Sequence, residues 1–226
     1  MPIVVVVPAA GVGRRMADEL PKQYLQIAGR AVIEWSLAPF LARSDIERIV
    51  VALSPDDRRF AALPCAKDSR VSTTVGGTQR ADSVLRGLDA ITATSNDWVL
   101  VHDAARPCLH EDDLAQLIAA LRDDEVGGLL AVPVADTLKS SDNSQRVLAT
   151  TSRENLWRAL TPQMFRFGLL QRALRESTHN LTDESMAIER LGLAPKLIAG
   201  RSDNIKITIP EDLLQAEFIL KQRLVK

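Results

Sequence analysis

The sequence predicts an α/β fold with a doubly wound, mostly parallel sheet. Short runs of apolar, β-branched residues recur along the chain, and segments whose apolar residues have helical spacing separate them. The chain has 226 residues, of which 46% are hydrophobic, so it is long enough to bury a substantial core. We therefore expect a single domain over residues 1–226, in which one segment, at about 133–160, interrupts the alternation.

The first three predicted strands are runs of four or five apolar residues, which is typical of strands buried on both faces. They cover residues 3–7, 49–53 and 98–101. A helix over 31–41 is predicted between the first two strands. Another helix is predicted after Gly77, because the apolar residues there fall at i, i+3, i+4 and i+7. They are Ala81, Val84, Leu85 and Leu88.

The second half of the chain continues the alternation. A helix is predicted to begin at Glu111, since its first turn is acidic and the helix dipole favours negative charge there. The further predicted elements are a strand at 129–132, helices at 166–176 and 183–191, a strand near 196–199 and a helix from Pro210. Residues 136–146 are polar and rich in Ser, Asp and Asn, which predicts a projecting β-arm with a flexible tip. An arm without its own core is expected to pack on a partner subunit.

Composition excludes several classes of protein. Lys and Arg number 28 and Asp and Glu 29, so the net charge of −1 argues against a general nucleic-acid or membrane-surface binder. Cys65 and Cys108 lie in no C-x-x-C pattern, so neither a disulfide framework nor a zinc site is expected. The apolar run of residues 3–7 is too short for a signal or membrane segment. We expect a cytoplasmic protein.

The loop after the first strand is the most informative segment. Its small residues and two glycines, Gly11 and Gly13, let the backbone approach a ligand closely. It is neither a dinucleotide fingerprint nor a Walker loop, because Met16 replaces the third glycine and no G-K-[ST] follows. Arg14, Arg15 and Lys22 instead favour a polyphosphate ligand. A strand–helix turn with solvated arginines is the alternative.

Three further segments contain candidate site residues. Asp103 follows a buried strand, where a carboxylate could hold Mg²⁺ or simply pair with Arg106. In the segment from Gly76, Arg80 and Ser83 lie one turn apart and could contact a base or ribose, or merely begin a capped helix. Lys206 lies between two apolar residues and could point at a ligand or lie on a solvated edge strand. No histidine, cysteine or serine pattern indicates a metal cluster or covalent catalysis.

Taken together, these segments resemble one family over nearly the whole chain. The matching blocks are Ala9–Met16 with Pro21–Gln23, Arg80–Val84, Val101–Pro107, Leu160–Gln163, Leu181–Glu184 and Asp203–Lys206. They are similar to those of 2-C-methyl-D-erythritol 4-phosphate cytidylyltransferases. The resemblance implies a Rossmann-like nucleotidyltransferase sheet. It also implies transfer of a cytidylyl group from CTP to a polyol phosphate with Mg²⁺, in non-mevalonate isoprenoid biosynthesis.

The resemblance also implies roles for individual residues. Arg15 and Lys22 would stabilise the transition state, and Arg153 and Lys206 would position the substrate phosphate. The substrate-binding residues would be Thr137, Arg153, Thr161 and Lys206. The residues around CTP would be Pro8, Ala9, Ala10, Gly11, Gly13, Gly77, Arg80, Ser83, Asp103, Ala104 and Arg106, with Asp103 near the metal. The arm would cross to the second subunit of a homodimer.

Three other functions compete with this interpretation. A ribitol-5-phosphate cytidylyltransferase would share the CTP loop and differ in the arm and the alcohol pocket. A non-catalytic nucleotide-sensing protein on the same fold is disfavoured by the presence of Arg15, Lys22 and Lys206. A nicotinamide-dependent oxidoreductase is disfavoured by Met16 and by the arginines of the first loop.

Overall fold

A computed structural model describes residues 2–11, 20–177 and 181–224. Its central sheet has seven strands. In chain order they are β1 (Ile3–Ala9), β4 (Ile46–Leu53), β5 (Val71–Val75), β6 (Trp98–Val101), β7 (Gly127–Pro133), β10 (Trp157–Arg166) and β11 (Lys196–Ala199). Two further two-stranded sheets pair β2 (Gln26–Ile27) with β3 (Arg30–Ala31) and β8 (Leu138–Ser141) with β9 (Val147–Thr151).

The central strands lie in the order β11-β7-β10-β6-β1-β4-β5. Every neighbouring pair is parallel except those of β10, which runs antiparallel to both β6 and β7. The prediction of a mostly parallel α/β sheet is therefore confirmed. Helices were also predicted close to where they occur. They are α1 (Val32–Leu41), α2 (Arg80–Asp89), α3 (Glu111–Leu121), α4 (Phe167–Glu176), α5 (Glu184–Arg190) and α6 (Pro210–Leu224).

Helices cover both faces of this sheet. Because side chains alternate along a strand, Val5 and Val7 of β1 pack on the face that α1 and α3 cover. Val4 and Val6 pack on the opposite face, against α2, α4 and α5. A smaller apolar cluster, which includes Cys108 and Ile207, lies under α6. This arrangement explains why the first strand is a continuous β-branched run.

The segment predicted as an arm divides into three parts. Its middle is the β8–β9 hairpin, whose side chains are almost all exposed. Its beginning, Pro133, still belongs to β7, and residues 157–160 already belong to β10 of the central sheet. The hairpin is hydrogen-bonded to neither edge of the central sheet.

Candidate active site

A cavity opens at the carboxyl edge of the parallel strands. This is the edge where α/β sheets bind ligands. Its walls come from the end of β1, the start of α2, the loop after β6 and the segment that carries Lys206. Eleven residues predicted for the site line it: Pro8, Ala9, Ala10, Gly11, Lys22, Gly77, Arg80, Ser83, Asp103, Ala104 and Lys206.

Two loops approach each other closely to form one wall. A Cβ on Gly76 would lie 2.6 Å from the Cβ of Ala10, so a larger residue would push the loops apart. The Ser83 hydroxyl accepts a hydrogen bond from the Gly77 amide at 3.0 Å and donates to the Gln79 carbonyl at 3.1 Å. Ser83 therefore fixes the loop that leads into α2.

Lys22 is held at the cavity from two directions. It begins a short 3-10 helix, Lys22–Tyr24, whose Gln23 side chain donates to the Ala9 carbonyl at 2.9 Å. The Lys22 ammonium donates to the carbonyl of Ile207 at 2.8 Å, beside Lys206. The chain thus brings two lysines, 184 residues apart in sequence, to the same side of the cavity.

Asp103 lies at the centre of the charged groups. Its carboxylate contacts Arg80 Nε at 2.9 Å, Lys206 Nζ at 2.9 Å and Arg106 Nε at 3.5 Å. Burial acts to raise the pKa of Asp103, but the three cations outweigh that effect and hold the pKa well below its usual range. Asp103 is therefore ionised at neutral pH and orients all three cations.

His102 and Thr161 hold the Asp103 backbone in place. The Thr161 hydroxyl accepts from the Asp103 amide at 3.1 Å and lies 3.0 Å from His102 Nδ1. His102 Nε2 lies 3.1 Å from the Arg106 carbonyl, which can only accept, so we assign the proton to Nε2 and the donor role to Thr161. Thr161 was predicted to bind substrate, yet both of its partners here are protein groups.

Arg106 and Asn204 connect this centre to the Lys206 segment. Arg106 Nη1 donates to the Asn204 carbonyl at 2.8 Å, and the Asn204 side chain donates to the Thr161 carbonyl at 2.9 Å. Arg106 does not line the cavity, and its Nε lies 3.5 Å from the Asp103 carboxylate. Sequence reasoning did not identify His102 or Asn204 as part of this network, since both bond to Thr161, which is distant in sequence.

Two further predicted site residues lie outside the cavity of their own chain. Thr137 and Arg153 flank the hairpin, are exposed and do not line the cavity of their own chain. The Arg153 guanidinium donates to the carbonyl of Ala135. Gly13 and Arg15 lie outside the described residues.

The described residues do not fit a metal ion held by the protein alone. Among residues 2–11, 20–177 and 181–224, no three His, Cys, Asp or Glu side chains form a cluster that could hold a metal. Three cations already engage the Asp103 carboxylate, and a metal ligand there would have to exchange at least one of them. The prediction that Asp103 binds the metal directly finds no support in this arrangement.

The fold and the cavity define an α/β protein with a cationic ligand site at the carboxyl edge of its sheet, as expected of a nucleotide-binding enzyme. The sequence profile of IspD, 2-C-methyl-D-erythritol 4-phosphate cytidylyltransferase, matches residues 3–222. The chain belongs to this family.

Individual relatives agree with the profile. The protein of this name from Pseudomonas savastanoi pv. phaseolicola is 54% identical over 214 residues, covering 92% of this chain and 91% of the relative. Its counterpart from Klebsiella pneumoniae is 50% identical over 223 residues, covering 96% and 93%. A crystal structure of a 4-diphosphocytidyl-2C-methyl-D-erythritol synthase superposes with a TM-score of 0.85 at 38% identity, covering 97% of this chain and 98% of that one.

Proposed function

We propose that this protein joins CTP and 2-C-methyl-D-erythritol 4-phosphate, giving the CDP-linked methylerythritol and pyrophosphate for isoprenoid precursor synthesis. Its family makes it a cytidylyltransferase, which is a nucleotidyltransferase. The observation that carries the proposal is the cationic cavity, which Lys22, Arg80 and Lys206 line.

The reaction needs cations more than it needs a base. A phosphate oxygen of the polyol substrate attacks the α-phosphorus of CTP, and the bond to the departing pyrophosphate breaks. Both reactants are anions, so positioned cations must suppress their repulsion and stabilise the charge that grows on the transferring group. The second pKa of a phosphate is about 6, so the nucleophile is already ionised at neutral pH. A general base is therefore unnecessary.

His102 fits this account because it is unsuited to proton transfer. Both of its ring nitrogens have partners within the protein, and the ring is fully buried. Burial lowers the pKa of His102 to about 4, so the ring is neutral at physiological pH. His102 supports the site without reacting in it.

In our proposal, Lys22 together with Arg15 stabilises the transition state, and Lys206 with Arg153 positions the attacking phosphate. The walls around Ala9, Gly77 and Ser83 take the nucleotide, since small side chains there permit close approach to backbone amides. Thr137 reaches the polyol phosphate from the hairpin.

A divalent cation, Mg²⁺, is also part of the proposal, and we expect it to arrive on the phosphates of the nucleotide. Mg²⁺ keeps several waters and commonly binds through substrate phosphates with few protein ligands. This view accommodates the full set of cationic partners around Asp103.

The hairpin supports a further part of the proposal, a homodimer. It exposes Val147 and Leu148, and beside it lie Thr137 and Arg153, which do not reach the cavity of their own chain. We propose that each hairpin crosses to the partner subunit and brings these two residues to the partner's cavity.

A cytoplasmic location is also proposed. The free, buried Cys65 and Cys108 support it, because such thiols fit a reducing compartment. The described residues contain no helix long and apolar enough to cross a membrane.

Pyrophosphate release from CTP tests the proposed function. The purified protein is assayed with CTP alone, with methylerythritol phosphate and with ribitol 5-phosphate. Of these three assays, we expect pyrophosphate release only in the one that contains CTP and methylerythritol phosphate. Faster release with ribitol 5-phosphate would assign the related cytidylyltransferase activity, and CTP binding without release under any condition would assign a sensing role.

A further inference from the structure

Glu184 is a carboxylate at the candidate active site to which the proposed mechanism gives no role. It is the first residue of α5, and its side chain is 1% exposed. Its two oxygens accept hydrogen bonds from Arg80 Nη1 at 2.6 Å and Nη2 at 2.9 Å. This bidentate pair joins residues 104 positions apart. Because burying a charge is costly, such a pair at the edge of a ligand cavity needs an explanation.

The position of Glu184 is fixed by its neighbours in sequence. Asp183 caps the N-terminus of α5 by accepting from the Met186 amide at 3.1 Å. The Gln163 side chain donates to Asp183 at 2.9 Å and accepts from the Ser185 amide at 2.8 Å. Gln163 belongs to β10, so the central sheet itself determines where the Glu184 carboxylate lies.

The pair leaves Arg80 little freedom to turn. Nη1 and Nη2 are bound by Glu184, and Nε donates to Asp103 at 2.9 Å. Since the guanidinium is planar, contacts along two of its edges fix its plane. A guanidinium has five N–H groups, so up to two remain for a ligand in the cavity that Arg80 lines.

We propose that Glu184 is a positioning residue for the nucleotide: it holds Arg80 in the orientation in which the remaining N–H groups meet CTP. This inference rests on the proposed function in taking CTP as the occupant of the cavity. Glu184 itself does not line the cavity and acts through Arg80.

If Glu184 orients Arg80, Glu184→Gln has the opposite effect on CTP binding from the one expected if Glu184 contributes only its charge. This change removes a negative charge next to a site that binds a triphosphate. If Glu184 contributed only its charge, the variant would bind CTP more tightly, since the surroundings become more positive. If Glu184 orients Arg80, the variant binds CTP more weakly.

The experiment measures the CTP dissociation constant by calorimetry, together with kcat, for the wild type, Glu184→Gln, Arg80→Met and the double variant. We expect Glu184→Gln to weaken CTP binding at least about tenfold. The double variant should bind CTP about as weakly as Arg80→Met, because the two residues act as one unit. We also expect kcat at saturating CTP to stay within about threefold of wild type, as for lost ground-state binding.

Asp68→Asn is the matched control. Asp68 also forms a bidentate pair, with Arg70 at 2.9 and 3.0 Å. It precedes β5 and so lies at the amino end of that strand, whereas the cavity is at the carboxyl edge of the sheet. This variant should leave CTP binding unchanged, and thermal unfolding shows that each protein is folded. Glu184→Asp is the second variant, because it keeps the charge and withdraws the carboxylate by one methylene.

Unchanged or tighter CTP binding by folded Glu184→Gln would overturn the proposal. So would a double variant in which Glu184→Gln weakens CTP binding by the same factor as it does in the wild type. If neither Glu184 variant folds, the residue is a folding requirement and the proposal is also wrong. A wild type that binds CTP without turnover would contradict the proposed reaction while the binding constants still decide the role of Glu184. A wild type that does not bind CTP would overturn both.

Discussion

His102 and Asp103 are neighbours in sequence with opposite electrostatic surroundings. The His102 ring is enclosed by protein and bonded to Thr161 and a backbone carbonyl, and its pKa is lowered. The Asp103 carboxylate faces three cations, and its pKa is lowered as well, but here the charged form is the favoured one. One residue therefore supplies a neutral support, and the next supplies the charge that organises the site.

The neutrality of His102 predicts how stability depends on pH. Burial lowers the pKa of His102 to about 4, against about 6.5 in the unfolded chain, so the unfolded state binds the proton more tightly. This contribution to stability is complete above about pH 6.5 and is lost as the pH falls towards 4. At pH 5 the loss is roughly 2 kcal/mol.

Urea unfolding at pH 7 and pH 5 measures this loss. His102→Gln serves as the control, because the Gln amide can still donate to the Arg106 carbonyl but does not titrate. The wild type should lose about 2 kcal/mol more than the variant between the two pH values. Equal losses would show that His102 does not titrate as inferred.

Asp103→Asn tests whether this carboxylate organises cations or binds metal. Because Arg80, Lys206 and Arg106 all contact it, we expect the variant to raise KM for both substrates and to leave the midpoint of a Mg²⁺ titration unchanged. The titration is run at saturating concentrations of both substrates. A midpoint shifted to higher Mg²⁺ would show instead that Asp103 contacts the metal.

At the scale of elements, the close packing of α2 on β1 supports the cavity. Gly87 of α2 faces Val6 of β1, and a Cβ on Gly87 would collide with Cγ1 of Val6. The helix therefore lies unusually near the central strand, with its first residue, Arg80, at the cavity. A side chain at position 87 would push the helix away from the sheet.

Gly87→Ala is thus expected to destabilise the protein by about 1–3 kcal/mol, as overpacking does in cores. Alanine is a better helix former than glycine by about 1 kcal/mol, so a loss of stability would show that the collision dominates. Gly200→Ala is the control, since its Cβ would lie at an ordinary 3.4 Å from Leu130. A stabilised Gly87→Ala protein would contradict the packing described here.

The sequence predicted those elements whose patterns are locally complete. Buried strands such as β1 and β6 are continuous apolar runs, and α2 and α3 each have one apolar face. The prediction missed β5, because Ser72, Thr73 and Thr74 form an edge strand with no buried apolar run. It missed β10 as well, because Pro162 lies within that strand, where the pairing with β7 shifts register.

The same limit applies to the candidate site. Motifs on one loop, such as Gly76-Gly77 or the segment from His102 to Pro107, can be found by spacing. Glu184 and Gln163 could not be assigned in this way, because each acts on a residue that only the fold brings near. Likewise, no local pattern shows that Lys22 and Lys206 share a cavity.

At the scale of the whole molecule, the crossing of the hairpins can be tested by mixing two inactive proteins. Lys22→Ala and Arg153→Ala should each lose activity, and loss of one preorganised cation costs roughly 10²–10³ in rate. If hairpins cross, a mixed dimer has one site with both defects and one site with neither. Its activity should then return to as much as half of the wild-type value.

If Arg153 serves its own chain, every site keeps one defect and mixing restores nothing. The two proteins are unfolded and refolded together so that subunits exchange. Two differently tagged but otherwise wild-type chains, treated in the same way, show by co-purification that mixed dimers form. Co-purification without recovered activity in the mutant mixture would contradict the crossing.

The antiparallel strand β10 also has a consequence for how the protein is made. On the ribosome the chain emerges from its N-terminus, and β1, β4, β5 and β6 can pair once residue 101 is free. β7 cannot join them, because β10, which ends at Arg166, must first lie between β6 and β7. Until then the buried residues of β6 form an open edge. Chaperones should therefore bind nascent chains in which residue 101 has emerged from the ribosome and Arg166 has not.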